Sequence, residues 1–340
     1  MMIWIGFLVA VVAALAGTYL MRQYALRREI IDHPNARSSH EVSTPRGGGV
    51  AIVATFLTGL VFLRVSGQIP QHLFLALFPS GLMVAAVGFW DDHGHLPARV
   101  RLIVHFAVAS WALFWLDGVG PLDLGFACLE WGWLGNVVAV VALVWLLNLY
   151  NFMDGIDGIA GTEALFVSLA AMLLGGFSSP VLFSLLGLLG ASCAGFLVLN
   201  WPPAKIFMGD AGSGFLGFAL GAMALAAEND DALSVWAWVI LLGVFIVDAT
   251  VTLMRRLVRG ERVYEPHRSH AYQWVCRRLG SHLRVTLGVL AINVFWLFPW
   301  AYLASRAAQF GAAVALISLA TLALLALRLG AGRAEAGAAP

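Results

Sequence analysis

The sequence predicts an all-α polytopic membrane protein of about eleven transmembrane helices, its N-terminus outside and its C-terminus in the cytosol. Three observations predict it. Hydrophobic residues fill 61% of the 340 positions and charged residues only 11%, far from the balance of a soluble domain. Apolar runs near the ~20 residues that cross ~30 Å of hydrocarbon recur along the whole chain. Of the 20 Lys and Arg residues, all but Arg64 and Arg306 fall on one side of the alternating topology, which the positive-inside rule makes the cytosol.

The elements follow in order. The run 3–20 has no basic residue ahead of it, and Arg22, Arg27 and Arg28 follow it, the pattern of a retained helix rather than a cleaved signal. A short run, 48–63, comes after a glycine triplet. Runs 73–90 and 102–116 flank the polar stretch "DDHGHLPAR", and 134–150 and 159–175 flank "NFMDGIDG", the latter run ending among glycines. Between these pairs, "DGVGPLDLGFACLEWGWLG" reads as a small outside hairpin. Runs 181–199 and 211–227 bracket "NWPPAKIFMGD", and 233–254 ends on an arginine-rich loop. The last two, 285–304 and 308–327, leave a polar tail. The chain is expected to form one integral domain, 1–328, with a disordered cytosolic tail at 329–340.

The net charge of +1 offers no basic face, so nucleic acid is not an expected partner. Cys128, Cys193 and Cys276 fall in a loop, a span and an oppositely facing loop, so no disulfide is expected.

Charged groups at membrane helices are costly, so their placement is informative. Asp91 and Asp92 follow the third run, Asp154 and Asp157 the fifth with Asn148 and Asn151, and Asp210 the seventh with Asn200 and Lys205. Five aspartates from three loops therefore face one compartment. Each piece has a plain alternative. Adjacent aspartates at a helix end mark an interface, although a helix C-terminus disfavours anions. Asp157 suits an ordinary helix cap, and so does Asp210. Jointly, however, carboxylates beside glycines and a helix N-terminus suit phosphates and a hard divalent cation such as Mg²⁺. His267, His270 and His282 lack cysteines at ligand spacing and sit among arginines, which argues against zinc and for anions. Asp248, inside the ninth run, is expected to pair with an arginine.

Together, "DHPNARSSHEVSTPRGGGVAI", the Asp91–Asp92 pair, "NLYNFMDGIDGIAG", "NWPPAKIFMGDAGSGFLG" and "PHRSH" resemble the polyprenyl-phosphate N-acetylhexosamine-1-phosphate transferases, the WecA/MraY superfamily, in order from 31 to 273. The details are closest to the WbpL-like, O-antigen-initiating branch. The resemblance implies transfer of a sugar 1-phosphate from a UDP-N-acetylhexosamine to undecaprenyl phosphate, with release of UMP, at the cytosolic face of a bacterial inner membrane. It implies Mg²⁺, with Mn²⁺ as a substitute. By position, Asp210 matches the metal aspartate and Asp91 and Asp92 a catalytic pair, one of which would share the metal. Asp154 and Asp157 match the nucleotide-facing loop, and Asn200 and Phe207 match uridine contacts. His270 matches the first histidine of the family's histidine motif, and Asn148, Asn151 and Arg268 fall within matched segments. Two departures stand out. Tyr272 and Gln273 replace further histidines, and a lysine of the peptidoglycan enzyme is absent, leaving His40 and Arg46 as the nearest polar candidates.

The implied chemistry is a single displacement between two anions, in which positioning and charge neutralisation dominate, with a phosphorylated or nucleotidylated aspartate as the alternative. Two rival readings are an ion-coupled secondary transporter, which would place acids near the midplane, and a CDP-alcohol phosphotransferase, whose Asp-Gly-x-x-Ala-Arg start "DGIDGIAG" lacks. The sequence leaves open which sugar is moved and whether the chain forms a homodimer.

Overall fold

A computed structural model of the protein describes residues 2–34, 42–94, 96–262 and 267–334. With no water in a bilayer core to satisfy backbone amides, a helix is the form that closes them within one segment. The structure is accordingly a bundle: α1 (Met2–Arg27), α2 (Val50–Val65), α3 (Gln71–Gly94), α4 (Ala98–Trp115), α5 (Gly132–Met153), α6 (Ile159–Ala171), α7 (Pro180–Asn200) and α8 (Asp210–Asn229). The remainder are α9 (Val235–Leu241), α10 (Gly243–Val258), α11 (Ala271–Leu279), α12 (His282–Ile292), α13 (Phe298–Arg306) and α14 (Gly311–Leu329). Among the described residues nine helices are long and apolar enough to cross a membrane, and the pair α9 and α10 makes a tenth. The expected second run is α2, which at 16 residues is shorter than a full crossing.

Three of the expected runs are interrupted. The sixth ends in a π-helical turn, Met172–Gly176, at its glycines. The ninth bends by 74° between α9 and α10, where Gly243 stands against Leu319 and Leu322 of α14. The tenth carries a π-helical turn, Asn293–Leu297, just ahead of Pro299, whose ring cannot donate to the preceding turn. The small hairpin expected ahead of α5 is present as β3 (Leu122–Asp123) paired antiparallel with β4 (Cys128–Leu129). Another small pair, β1 (Ile31–Asp32) with β2 (Thr44–Pro45), lies between α1 and α2. All three cysteines are free.

The inner layer is α6, α7 and α8. Of the apolar window of α8, 83% is buried, against 17% for α1 at the periphery. Its sequence, rich in Gly and Ala, lets neighbouring backbones approach closely. A Cβ at Gly217 would lie 2.5 Å from the Leu146 carbonyl of α5, and one at Gly88 of α3 would lie 2.5 Å from the Ala211 amide of α8. Glycine at these two places brings three helices together at their polar ends.

Asp248 of α10 does not serve an arginine. It accepts the amides of Ala271 (2.8 Å) and Tyr272 (3.0 Å) and the hydroxyl of Thr252 (3.1 Å), closing the first turn of the short helix α11. The carboxylate meets the positive end of a helix, which is the more favourable neutralisation for a group that is only 4% exposed. The start of the expected tail is tied to the same region. Gly332 donates to the Ser269 carbonyl at 2.7 Å, and Arg255 donates to the Ala331 carbonyl at 2.6 Å. Residues 335–340 lie outside the described residues.

Gly88→Val is expected to lower the midpoint of thermal unfolding in detergent by several degrees, the scale of an overpacking cost of about 1–3 kcal/mol or more. Gly6→Val, where an added Cβ meets nothing within 4 Å, should leave it unchanged. Equal midpoints for the two variants would contradict the close packing of α3 on α8.

Candidate active site

The loops after α1, α3, α5, α7 and α10 gather at the arginine-rich end of the bundle. There the opening conflict of an anion at the C-terminal end of α3 is resolved by a different helix. Asp92 accepts the amides of Asp210 (3.1 Å) and Ala211 (3.5 Å), the first two residues of α8. The positive end of α8 thus holds the carboxylate that α3 itself disfavours. Arg46, from the loop before α2, completes the neutralisation of Asp92 and lies 3.7 Å from Asp210. On the other side, Arg101 at the start of α4 pairs with Asp91 and lies 3.3 Å from Asp210. Asp91 also accepts the Leu96 amide at 2.7 Å, which fixes the reversal between α3 and α4. Asp210 therefore stands between two guanidinium groups, each anchored on a different member of the aspartate pair.

A polar cleft of about 270 Å³ opens beside this cluster. Its lining includes Asp32, Arg46, Asn151, Asp154, Asp157, Asn200, Phe207, Asp210, Gln273 and His282. A separate, mostly apolar groove of about 180 Å³ runs between α3, α4, α5 and α8, lined by Val84, Val87, Leu102, Leu147 and Phe152 with Arg101, His105 and Asn148. Asn151 and Asp210 belong to both linings. The Asn151 amide donates to Ser213 of α8 at 3.0 Å, which keeps this shared wall in place.

The predicted residues separate by what they touch. Asp154, just after α5, projects into the cleft with no hydrogen bond or ion pair among the described residues. Burial raises its carboxyl well above the usual carboxylate range, and Asp210 and Asp92 push it the same way. Asp157 is instead occupied by protein: its Oδ2 accepts the Ala204 amide at 3.0 Å and its carbonyl accepts the Thr286 hydroxyl at 2.9 Å. Asn200 accepts the Gly158 amide (3.1 Å) and donates to the Ile206 carbonyl (2.9 Å), stapling two loops from a position 3% exposed. Phe207 is held between loops by bonds from its amide to Pro45 and from Gly48 to its carbonyl. Asn148 donates to the Val144 carbonyl at 2.7 Å and faces the groove rather than the cleft.

His270 is placed away from both linings. It is 1% exposed and caps α11, with Gln273 closing the reciprocal bond to its amide at 3.2 Å. Arg268 faces a second, adjoining cleft of about 670 Å³ with Arg277 and Cys276. His40 lies outside the described residues. The site also includes residues that sequence reasoning passed over. Arg101 counted only toward topology, though its place ten residues after Asp91 across a proline turn hinted at a pair. Gln273 registered as a departure from a pattern, and His282 as a discounted zinc ligand.

The residues suit a divalent cation by chemistry. Asp91, Asp92, Asp154 and Asp210 supply only hard oxygens, and Asp210 and Asp92 add to the burial that raises Asp154, a crowding of carboxylates that a cation would relieve. Among the described residues no three such side chains converge as a ready cage. Mg²⁺ takes one or two protein carboxylates and completes its shell with water and substrate phosphate, so it requires none.

A family model described as glycosyl transferase family 4 matches residues 73–228. The chain is 26% identical over 293 residues to a probable undecaprenyl-phosphate N-acetylglucosaminyl 1-phosphate transferase of Bacillus subtilis (strain 168), covering 85% of this chain and 80% of that one. It is 28% identical to an undecaprenyl-phosphate alpha-N-acetylglucosaminyl 1-phosphate transferase of Yersinia pestis, covering 86% and 85%. To a phospho-N-acetylmuramoyl-pentapeptide-transferase of Thermosynechococcus vestitus it is 30% identical, covering 72% and 67%.

Asp154 gives a pH signature. A carboxyl raised in the folded state binds its proton more tightly there than in the unfolded chain, so its ionisation destabilises the fold as pH rises through the folded value. In EDTA, Asp154→Asn is expected to unfold a few degrees above wild type at neutral pH, and the advantage should vanish near pH ~4, the ordinary carboxylate value. A variant no more stable than wild type at neutral pH would mean that the carboxylate has a partner.

Proposed function

The chain belongs to glycosyl transferase family 4, and we propose that it moves an N-acetylhexosamine 1-phosphate from a UDP-sugar onto undecaprenyl phosphate, releasing UMP. Transfer of such a group to a polyprenyl phosphate is the activity that relatives matched over most of their length carry in their names. The single observation that carries the reading is the wall shared by cleft and groove. Asp210 and Asn151 face a polar cavity suited to a nucleotide sugar on one side and an apolar channel suited to a lipid on the other. A soluble donor and a membrane-held acceptor can meet only at such a wall.

The chain's residues divide the work. Arg46 lines the cleft and Arg101 the groove, so each is placed to receive the phosphate entering from its own side. Bringing two anions together is the main barrier, and both guanidinium groups already flank the Asp210 carboxylate where they would meet. The lipid phosphate needs little help to become a nucleophile, because its second pKa near ~6 leaves it largely ionised at neutral pH. Asp154, without a partner among the described residues, is placed to orient the donor. We assign a divalent cation, Mg²⁺ with Mn²⁺ as substitute, to Asp210 together with Asp91 or Asp92. When bound, it supplies Lewis-acid neutralisation of the pyrophosphate oxygens and the departing UMP.

The arginine segregation supports an active site on the cytosolic face of a bacterial inner membrane, with the N-terminus outside and the C-terminus inside. In this reading α2 is an eleventh, short crossing. Initiation of O-antigen or a related surface glycan is the pathway proposed, with GlcNAc, FucNAc and QuiNAc as the donor sugars to compare.

Purified protein incubated with undecaprenyl phosphate, Mg²⁺ and UDP-N-acetylhexosamines is expected to release UMP. EDTA should abolish release, and Asp210→Ala should lower kcat on the order of a hundredfold or more, the scale of several kcal/mol of lost charge stabilisation. UMP release that persists in EDTA or without the lipid would overturn the assignment.

A further inference from the structure

One helix face explains how the donor cleft keeps its shape. Along α12 and into the π-helical turn that continues it, His282, Thr286 and Asn293 are spaced to share a single stripe. His282 meets Asp157, Thr286 donates to the Asp157 carbonyl at 2.9 Å, and Asn293 donates to the buried Glu163 of α6 at 2.5 Å. The stripe is a polar seam that docks α12 along α6 and the loop preceding it. His282 is its outermost member and the only one of the three that lines the cleft.

The ring makes an unusual pair of approaches to one residue. Its Nδ1 lies 3.1 Å from Asp157 Oδ1 and 3.3 Å from the Asp157 amide nitrogen. A protonated Nδ1 donates to the carboxylate, and an unprotonated Nδ1 accepts from the amide, so either form of the ring ends on Asp157. With the Ala204 amide on Oδ2 and Thr286 on the carbonyl, Asp157 is gripped from three directions. Asp157, Phe207 and His282 line both the donor cleft and the adjoining cleft of about 670 Å³, so they form the partition between the two cavities.

We infer that His282 is a positioning residue for the nucleotide-sugar donor, acting through Nδ1 on Asp157 to set this partition, an inference that rests on the transferase reading above. Its effect is directional. The partition borders the cleft and is absent from the lining of the groove, so donor binding depends on it and acceptor binding does not. Replacing His282 need not unfold the helix it starts, because Ser281 caps α12 independently by accepting the Arg284 amide at 3.3 Å.

The test compares His282→Asn, His282→Gln and His282→Ala in steady-state UMP release, with donor and acceptor varied separately and the thermal midpoint recorded for each. Asparagine places a nitrogen or oxygen on Cγ, where Nδ1 stands, whereas glutamine places its polar atoms one bond further out. His282→Ala and His282→Gln are expected to raise the donor KM about tenfold to a hundredfold, the scale of a lost hydrogen bond to a charged group. The acceptor KM should stay unchanged, and His282→Asn should lie within about threefold of wild type. If the alanine variant does not fold, the asparagine and glutamine pair decides. A donor KM unchanged in His282→Gln, a glutamine variant as good as asparagine, or a fall in kcat alone would each overturn the inference. Wild-type protein that releases no UMP with any donor would overturn the transferase reading, and this inference with it.

Discussion

The contact between Asp92 and the amides that open α8 governs the rest of the arginine-rich end. A carboxylate there must be neutralised, and α3 cannot do so with its own C-terminus. Besides Arg46, the positive groups that meet it are the first amides of another helix, which requires α3 and α8 to touch backbone to backbone. Gly88 permits that approach from α3, and Gly209, at φ +79° with Asp92 against it, permits it from the loop before α8. Once the two helices are joined, Asp210 has little choice of place. It begins α8 beside the residue that caps it, and Arg46 and Arg101 follow because three carboxylates in so small a volume need counter-charges.

The same logic recurs at α11. Asp248 sits deep in α10, and the first amides of a short helix satisfy it. That helix brings Tyr272 to the Phe152 carbonyl at 3.1 Å and Gln273 to the edge of the cleft. In both cases a buried anion is spent on organising a neighbouring helix. The chemistry-bearing loop at Asp154 is thereby shaped by residues more than a hundred positions away.

This explains which parts were legible in the sequence. Helices were, because a bilayer admits little else and the apolar runs mark them directly. The small hairpin before α5 was legible from its turn residues, and the one-sided aspartates stood out because charge near a membrane is conspicuous. Partners were not legible. Asn200 looked like a ligand contact, yet both ends of its amide hold backbone, and His270 matched a functional histidine while the structure turns it inward as a cap. The frame around them depends on pairs such as Asp92 with α8 or Asp157 with His282, separated by more than a hundred residues, which no local pattern encodes. The bend at Gly243 is similar, since the leucines of α14 that stand against it are distant in the sequence.

The geometry also separates carboxylates that hold the site together from carboxylates open to substrate. Asp91, Asp92 and Asp157 each accept backbone amides, so ligand arrival cannot easily reorient them. Among the described residues Asp154 accepts none, and Asp210 is flanked by the guanidinium groups of Arg46 and Arg101. Guanidinium groups are suited to exchange, because the fork that grips a carboxylate grips a phosphate equally well. Arg46 on the cleft side and Arg101 on the groove side can therefore shift toward incoming phosphates without leaving Asp210's neighbourhood, while the amide-bound aspartates keep the frame rigid. In the proposed reading each anionic substrate enters on the side of its own arginine, Arg46 for the cleft and Arg101 for the groove.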